Sequence, residues 1–307
     1  MREQALVPEP EFESYYGKPI LKEPTWKQPD VPLYLFLGGM AGASAVLAEG
    51  AAATDRPALE RVARLAAAGG AAAGTVALVH DLGRPERFLN MLRVFKPTSP
   101  LSVGSFILAP FSALSGAAAA SQVTGWFPRL GRLAGVGATA LGPPLATYTA
   151  ALLANTAVPA WHDAHRELPF VFAGSGATAA GGLAMVLTPV DQAGPARRMA
   201  LAGAATEIVA AEALKKRLGM VGEPYHEGRP GRLMSASRTT TAVAAGATLL
   251  LGRRSRAVSV LAGAACVAAS VATRFGIFQA GLASAKDPKY TVVPQRQRLD
   301  ERRLADA

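Results

Sequence analysis

Long apolar runs separated by short polar stretches dominate the chain. Val31 to Ala53 contains a single acid, Glu49, near its end, while Leu133 to Ala160 and Leu168 to Val190 contain no charge. About 20 residues at 1.5 Å each cross a hydrocarbon core of ~30 Å, so runs of this length predict membrane spans. A buried helix of a large soluble core would account for one such run, but not for so many. The pattern predicts about eight spans: Val31–Ala53, Val62–Leu82, Ser102–Val123, Leu133–Ala157, Leu168–Val190, Ala196–Leu214, Leu233–Leu251 and Ala257–Gln279. Each is expected to be helical, because a spanning backbone must satisfy its own hydrogen bonds. Apolar positions do not alternate, which argues against a barrel. Gly38 with Gly42, Gly70 with Gly74, and Gly135 with Thr139 have the small-xxx-small spacing of close helix contacts. In a chain this rich in Ala and Gly, any single pair is more readily a product of composition.

The expected organisation is all-α and polytopic. A polar N-terminal tail (1–30) precedes a first group of four spans (31–160). A second group of four (161–280) and a charged tail (281–307) follow, and the polar Trp161–Glu167 stretch divides the groups.

Composition agrees. Half of the residues are hydrophobic and 18% are charged, against roughly 25% in soluble domains. The net charge of +10 sits in loops beside apolar runs, where headgroups and topology account for it and nucleic acid need not be invoked. Residues 1–30 have no apolar stretch of signal-peptide type, so the first span is expected to serve as insertion signal. An even number of spans places both tails on one side. That side holds about two-thirds of the Lys and Arg, and is cytoplasmic by charge bias. The single Cys266 excludes a Cys-ligated iron-sulfur cluster, which needs about four thiolates.

Ionisable groups in lipid are costly and therefore functional candidates. They are Glu49, His80, Asp81, Glu207, Glu212 and Arg274. Span direction gathers Tyr34, His80, Asp81, Ser102, Ser105 and Asn155 near the tail side, with Tyr148 a turn or two deeper. A quinone needs this combination. Its ring dissolves in lipid, its carbonyls accept hydrogen bonds, and its reduction consumes two protons, which an imidazole beside a carboxylate can relay. Against this, Asp81 serves equally well as a cap or a partner for Arg84, and His80 as an interfacial residue. Glu49, Glu207 and Arg274 are candidates for a proton path; the alternative is a static pair of Arg274 with Glu207 or Glu212. No two of the four His face each other within spans, so a bis-His haem is not expected. A zinc site at His162, Asp163 and His165 has unspecific spacing, and no metal is expected.

Three stretches carry a resemblance. "YYGKPILKEPTWKQPDVPLYLFLGGMAG" joins an aromatic-Gly-Lys-Pro tail and a Trp to a Tyr-led span. "HDLGRPERFLNMLRVFKPTSPLSVGSF" follows the second span, and "TYTAALLANTAVPAWHDA" ends the fourth. From Tyr15 to about His165 the chain resembles the NrfD/PsrC family, the membrane subunits of polysulfide-reductase-like complexes. The resemblance implies two four-helix bundles, no prosthetic group in this chain, and a quinone pocket near one face. It also implies a four-cluster ferredoxin-like iron-sulfur partner bound to a molybdopterin catalytic subunit, in the inner membrane of a bacterial cell. His80, Asp81 and Arg84 match the family signature, and Tyr148 matches the tyrosine placed at the quinone. Family members face exported partners, whereas the charge bias here puts the tail side in the cytoplasm.

The expected site is therefore His80, Asp81 and Tyr148 for proton chemistry, with Tyr34, Arg84, Ser105 and Asn155 completing the menaquinone or ubiquinone pocket. Pro85–Phe95, with Phe88, Met91, Leu92 and Phe95 against Arg84, Arg87 and Arg93, predicts a short interfacial amphipathic helix. Two other readings are a 4+4 transporter whose fourth span breaks at Gly142-Pro143-Pro144, and a purely structural anchor.

Overall fold

The computed structural model describes residues 20–305, and among them there are helices and no strands. In chain order the helices are α1 (Asp30–Ala52), α2 (Pro57–Asp81), α3 (Pro100–Thr124), α4 (Pro128–Ala154), the short α5 (Pro159–Asp163), α6 (Leu168–Leu187), α7 (Gly194–Leu218), α8 (Gly228–Leu251), α9 (Arg256–Lys286) and α10 (Lys289–Ala305). Short 3-10 segments cover Pro85–Leu92, Ala164–Arg166 and Gly219–Tyr225. The N-terminal motif residues Tyr15 to Pro19 lie outside the described residues.

Local sequence sets the helix ends. Proline occupies the first or second position of α2, α3, α4, α6 and α7, where its missing N–H has no intrahelical partner to lose. Ser99 Oγ accepts from the Ser102 amide at the start of α3, and Gly125, at φ +73°, ends that helix.

The eight helices of 20 residues or more correspond to the eight predicted runs. Five of them, α1, α2, α3, α6 and α9, are long and apolar enough to cross a membrane by length and composition. The remaining three depart from the expectation for physical reasons. α7 ends in Glu212 and Lys215–Arg217, α8 opens with Arg229, Arg232 and Arg238, and Gly, Pro and Thr dilute α4.

Cross-contacts give the direction of each helix. His80 at the end of α2 meets Asp30 at the start of α1, and Arg64 near the start of α2 meets Glu49 near the end of α1. α1 packs on α2 and α4, and α3 joins α2 to α4; likewise α6 packs on α7 and α9, and α8 joins α7 to α9. Between the two sets, α1 crosses α6 where a Cβ on Gly176 would fall 2.7 Å from the Gly39 carbonyl oxygen. The face holding the start of α1 and the end of α9 is called the tail face below.

Packing corrects several expectations. α4 continues unbroken through Pro143 and Pro144, so the break required by a transporter reading is absent. Gly142 serves a close approach instead: a Cβ there would lie 2.5 Å from the Gly42 carbonyl oxygen. The stretch Trp161–Glu167 is not simply a polar loop. Trp161 is fully buried, donates Nε1–H to the Ile277 carbonyl at 2.8 Å, and stacks on Trp26 at 5.7 Å. Bare Cα–H at Gly281 makes room for the indole. The charged tail is helical, and Lys289 and Tyr290 anchor α10 through Glu223 at 2.8 and 3.2 Å. The amphipathic stretch after α2 forms a 3-10 helix over Pro85–Leu92, shorter than the expected Pro85–Phe95.

Candidate functional site

At the tail face of the first four long helices, the end of α2 is fastened to the chain entering α1. Asp81 Oδ1 accepts the Lys27 amide at 2.8 Å. His80 Nδ1 lies 2.8 Å from Asp30 Oδ2; the imidazole is 74% exposed and the carboxylate 14%. Asp30 sits in the first turn of α1, where a helix dipole favours negative charge. Gly83, at φ +67°, turns the chain out of α2 before Pro85 opens the 3-10 segment. Arg84 does not close on Asp81; it is exposed, and the acid is used by the Lys27 amide.

The 3-10 segment roofs an apolar cavity of about 180 Å³. Phe88, Met91 and Leu92 form the roof, Thr75 and Leu78 of α2 one wall, and Ser105, Leu108 and Ser112 of α3 the other. Ser105 Oγ donates to the Leu101 carbonyl at 3.0 Å, while Ser112 Oγ is buried without a partner. Leu89, Val94 and Phe95 point outward and are exposed, as the lipid-facing side of an interfacial segment should be.

The two phenols lie deeper. Tyr34 is buried and its hydroxyl has no protein partner. Half-buried Tyr148 lies in the α3–α4 seam over Gly104, where a Cβ would come within 2.0 Å of the ring. Both rings belong to one apolar cluster with Leu78 and Leu108, residues that also line the cavity. Ser105 lines the cavity, and Tyr34 and Tyr148 share the apolar cluster beside it without lining it. His80 and Asp81 stay at the rim, and neither they nor Tyr148 line the cavity itself. Asn155 caps α4 and is exposed.

Glu49 accepts from Arg64 at 3.1 Å, and Arg64 also meets Glu60 at 2.9 Å and Gln122 at 3.1 Å. This cluster occupies the face opposite the tails. Arg274 and Glu207 do not form the static pair that was the alternative to a proton path. Arg274 Nη2 donates to the Phe172 carbonyl at 2.7 Å and the guanidinium stacks 3.7 Å above the Phe172 ring, while Thr273 donates to Glu207 Oε1 at 2.6 Å. Glu207 Oε2 and Arg274 Nε and Nη1 have no partner. The Glu212 carboxylate instead pairs with Arg238. His162 and His165 direct Nδ1 at backbone carbonyls, at 2.9 and 3.0 Å. Among the described residues no group of three His, Cys, Asp or Glu could hold a metal.

Asp30, the partner of His80, was the neighbour that sequence reasoning missed. Its signal was available: it is the sole acid between Glu23 and Glu49 and stands at the first span's threshold. Tyr34's orphaned hydroxyl had no sequence signal, since it depends on how α1 is rotated against α2.

Helix length, apolar composition and packing define an integral membrane protein. Residues 23–194 match the family model for polysulphide reductase, NrfD. That is more than half of the chain, which belongs to the NrfD family and is of the class of membrane subunits serving polysulphide- and quinone-related oxidoreductase complexes. The match runs past His165, where the resemblance was expected to fade, to the start of α7. No curated protein matches the chain.

Proposed function

We propose that this chain is the quinone-reactive membrane anchor of a molybdopterin/iron-sulfur oxidoreductase, with eight spans in two four-helix bundles in the bacterial inner membrane. Menaquinone or ubiquinone enters the first bundle at the tail face, beneath Pro85–Leu92, and exchanges two electrons with a four-cluster iron-sulfur partner. The observation that carries this reading is the apolar cavity beside a cluster in which a buried phenol has no acceptor. A buried donor left unpaired costs about 1–3 kcal/mol, and a quinone carbonyl is an acceptor that reaches such a site through lipid.

The residues divide the work. Leu78, Leu108, Phe88 and Met91 exclude water around the ring. Tyr34 and Tyr148 orient its carbonyls by donating hydrogen bonds, and Ser105 lines the entry. The His80–Asp30 pair holds a proton at Nδ1 within reach of solvent, and Asp81 keeps that end of α2 on α1. Arg84 and Asn155 frame the rim against headgroups or the partner. Glu207 exchanges protons in the second bundle, and Arg274 is the fixed charge beside it. Glu49, locked by Arg64, fixes the helices at the opposite face.

The test is turnover of the assembled complex. Tyr34→Phe and Tyr148→Phe should each lower quinone turnover about fivefold, the value of one hydrogen bond of ~1 kcal/mol, and His80→Ala should lower it too. Reduction of a water-soluble dye by the catalytic subunit should be unchanged. Full quinone turnover in all three variants refutes the site.

A further inference from the structure

The second set of helices holds a cavity of about 290 Å³ between α7, α8 and α9, roofed by Tyr225 and His226. Its wall chemistry differs from that of the first cavity. Glu207, Ser237, Thr241 and Thr273 line its deeper part together with apolar side chains, and Glu212, Lys215 and Arg238 line its more exposed part. Glu207 is 5% exposed, and its Oε2 and the Thr241 hydroxyl are buried without protein partners. The lining is mixed, and buried polar groups left without protein partners are the kind that ordered water satisfies. Glu207 lies eleven residues before the end of α7, about 16 Å along the helix axis, so the space reaches close to mid-membrane.

Toward the opposite face α6 packs tightly on α7 and on α9. A Cβ on Gly203 would fall 2.6 Å from the Gly174 carbonyl oxygen. One turn and more toward the opposite face, Cβ atoms on Gly181 and Gly182 would lie 2.6 Å from the carbonyl oxygens of Ala196 and Gly263. Backbones in such contact leave no room for water. Arg274, next to the Thr273 that bonds Glu207, is fully buried with Nη2 against Gly39 of α1. A fixed cation beside this acid repels other cations.

We propose that this cavity is an aqueous well that admits water and hydrated protons from the tail face to Glu207 and ends there. Glu207 takes a proton from that water and returns it to the same side; the glycine seams and Arg274 close the way to the opposite face. The charged groups around Glu207 are Arg274 of α9, Glu212 and Lys215 of α7, Arg238 of α8 and His226 of the roof, and α6 contributes none. The inference deepens the proton-path reading of Glu207, but its test needs no quinone turnover. The well can therefore fail while the quinone site stands, and the reverse.

Sided labelling of the intact complex in vesicles of known orientation tests it, with Cys266→Ala as background. A trimethylammonium methanethiosulfonate should modify Ala211→Cys at least tenfold faster from the tail face than from the other, and leave Ala200→Cys in the seam unmodified from either. A water-soluble carbodiimide with an amine should modify Glu207, at least tenfold less in Ala211→Phe. Reaction of Ala211→Cys with a lipid-soluble maleimide alone, with no reagent, or with the charged reagent from the opposite face overturns the proposal. So does a Glu207 that the carbodiimide never reaches.

Discussion

Gly42→Ala tests the packing of the first four long helices at its tightest point. The new methyl would lie 2.3 Å from the Gly142 carbonyl oxygen and 3.2 Å from its carbon. An unstrained carbon–oxygen contact is about 3.3 Å, so α1 and α4 must part by roughly 1 Å. The obstacle is backbone, which no rotamer change can move aside. Overpacking of this kind costs about 1–3 kcal/mol, and a backbone obstacle puts it toward the upper end. The separation also stretches the bond from Thr139 Oγ1 to the Ala45 carbonyl, 2.9 Å at present. Gly38→Ala is the internal control. It is the same change one turn away, and a Cβ there meets nothing within 4 Å. It should gain the ~0.5–1 kcal/mol by which Ala exceeds Gly in a helix. The two variants should therefore differ by about 2–4 kcal/mol in unfolding titrations in mixed micelles followed by circular dichroism. Equal stability of the two, or a more stable Gly42→Ala, refutes the reasoning.

Three further outcomes follow from named contacts. Arg256 donates to the carbonyls of Met185, Val186 and Thr188 at the end of α6, at 2.9, 2.5 and 2.7 Å; Arg256→Gln should destabilise the protein by about 1–3 kcal/mol in the same titration, and no change would show that water satisfies those carbonyls. Arg64→Met leaves Glu49 and Glu60 facing one another without their cation and should cost about 2–3 kcal/mol, below the 3–5 of fully buried pairs because both acids are partly exposed; adding Glu49→Gln should restore part of the loss, and an additive second loss contradicts the pairing. Arg217 binds both oxygens of Glu167, at 2.6 and 2.5 Å, and holds its carboxyl below the usual 4.5. A carboxyl lowered in the folded state adds stability above its unfolded value and loses it as pH falls through the folded one. Thermal stability should thus drop on acidification below pH 4.5 more steeply in the natural protein than in Glu167→Gln; parallel curves would remove the pair from the balance.

Much of the fold was legible because a span integrates twenty residues of hydropathy, so the eight runs and their order stand out even where single residues are ambiguous. The rotation of each helix about its axis was not legible. α1 has Ala and Gly on every face, so no stripe marks its inner side. Gly42 makes the tight crossing and Gly38 does not, although both carry the same motif. The same uncertainty hid the site's partners. The axial level of His80 could be read from span direction, but not its turn toward Asp30. Glu207 or Glu212 was offered as a partner for Arg274, yet Arg274 went to Phe172 and Glu207 to Thr273, because azimuth decides which neighbour a side chain meets. The prolines of α4 made a break only under the transporter reading; a membrane helix tolerates lost backbone bonds where its surroundings compensate, and α4 runs through both.

The indole of Trp161 bears on how the molecule is made. Its neighbours are Trp26, ahead of the first long helix, and Ile277 and Phe278, in the last one. Helices enter the membrane in the order of synthesis, so this aromatic hub has to wait, half dressed, until nearly the whole chain has left the ribosome. A nascent protein halted before α9 would carry a bare tryptophan and an unmoored amino terminus, a surface that quality-control proteases could recognise as unfinished.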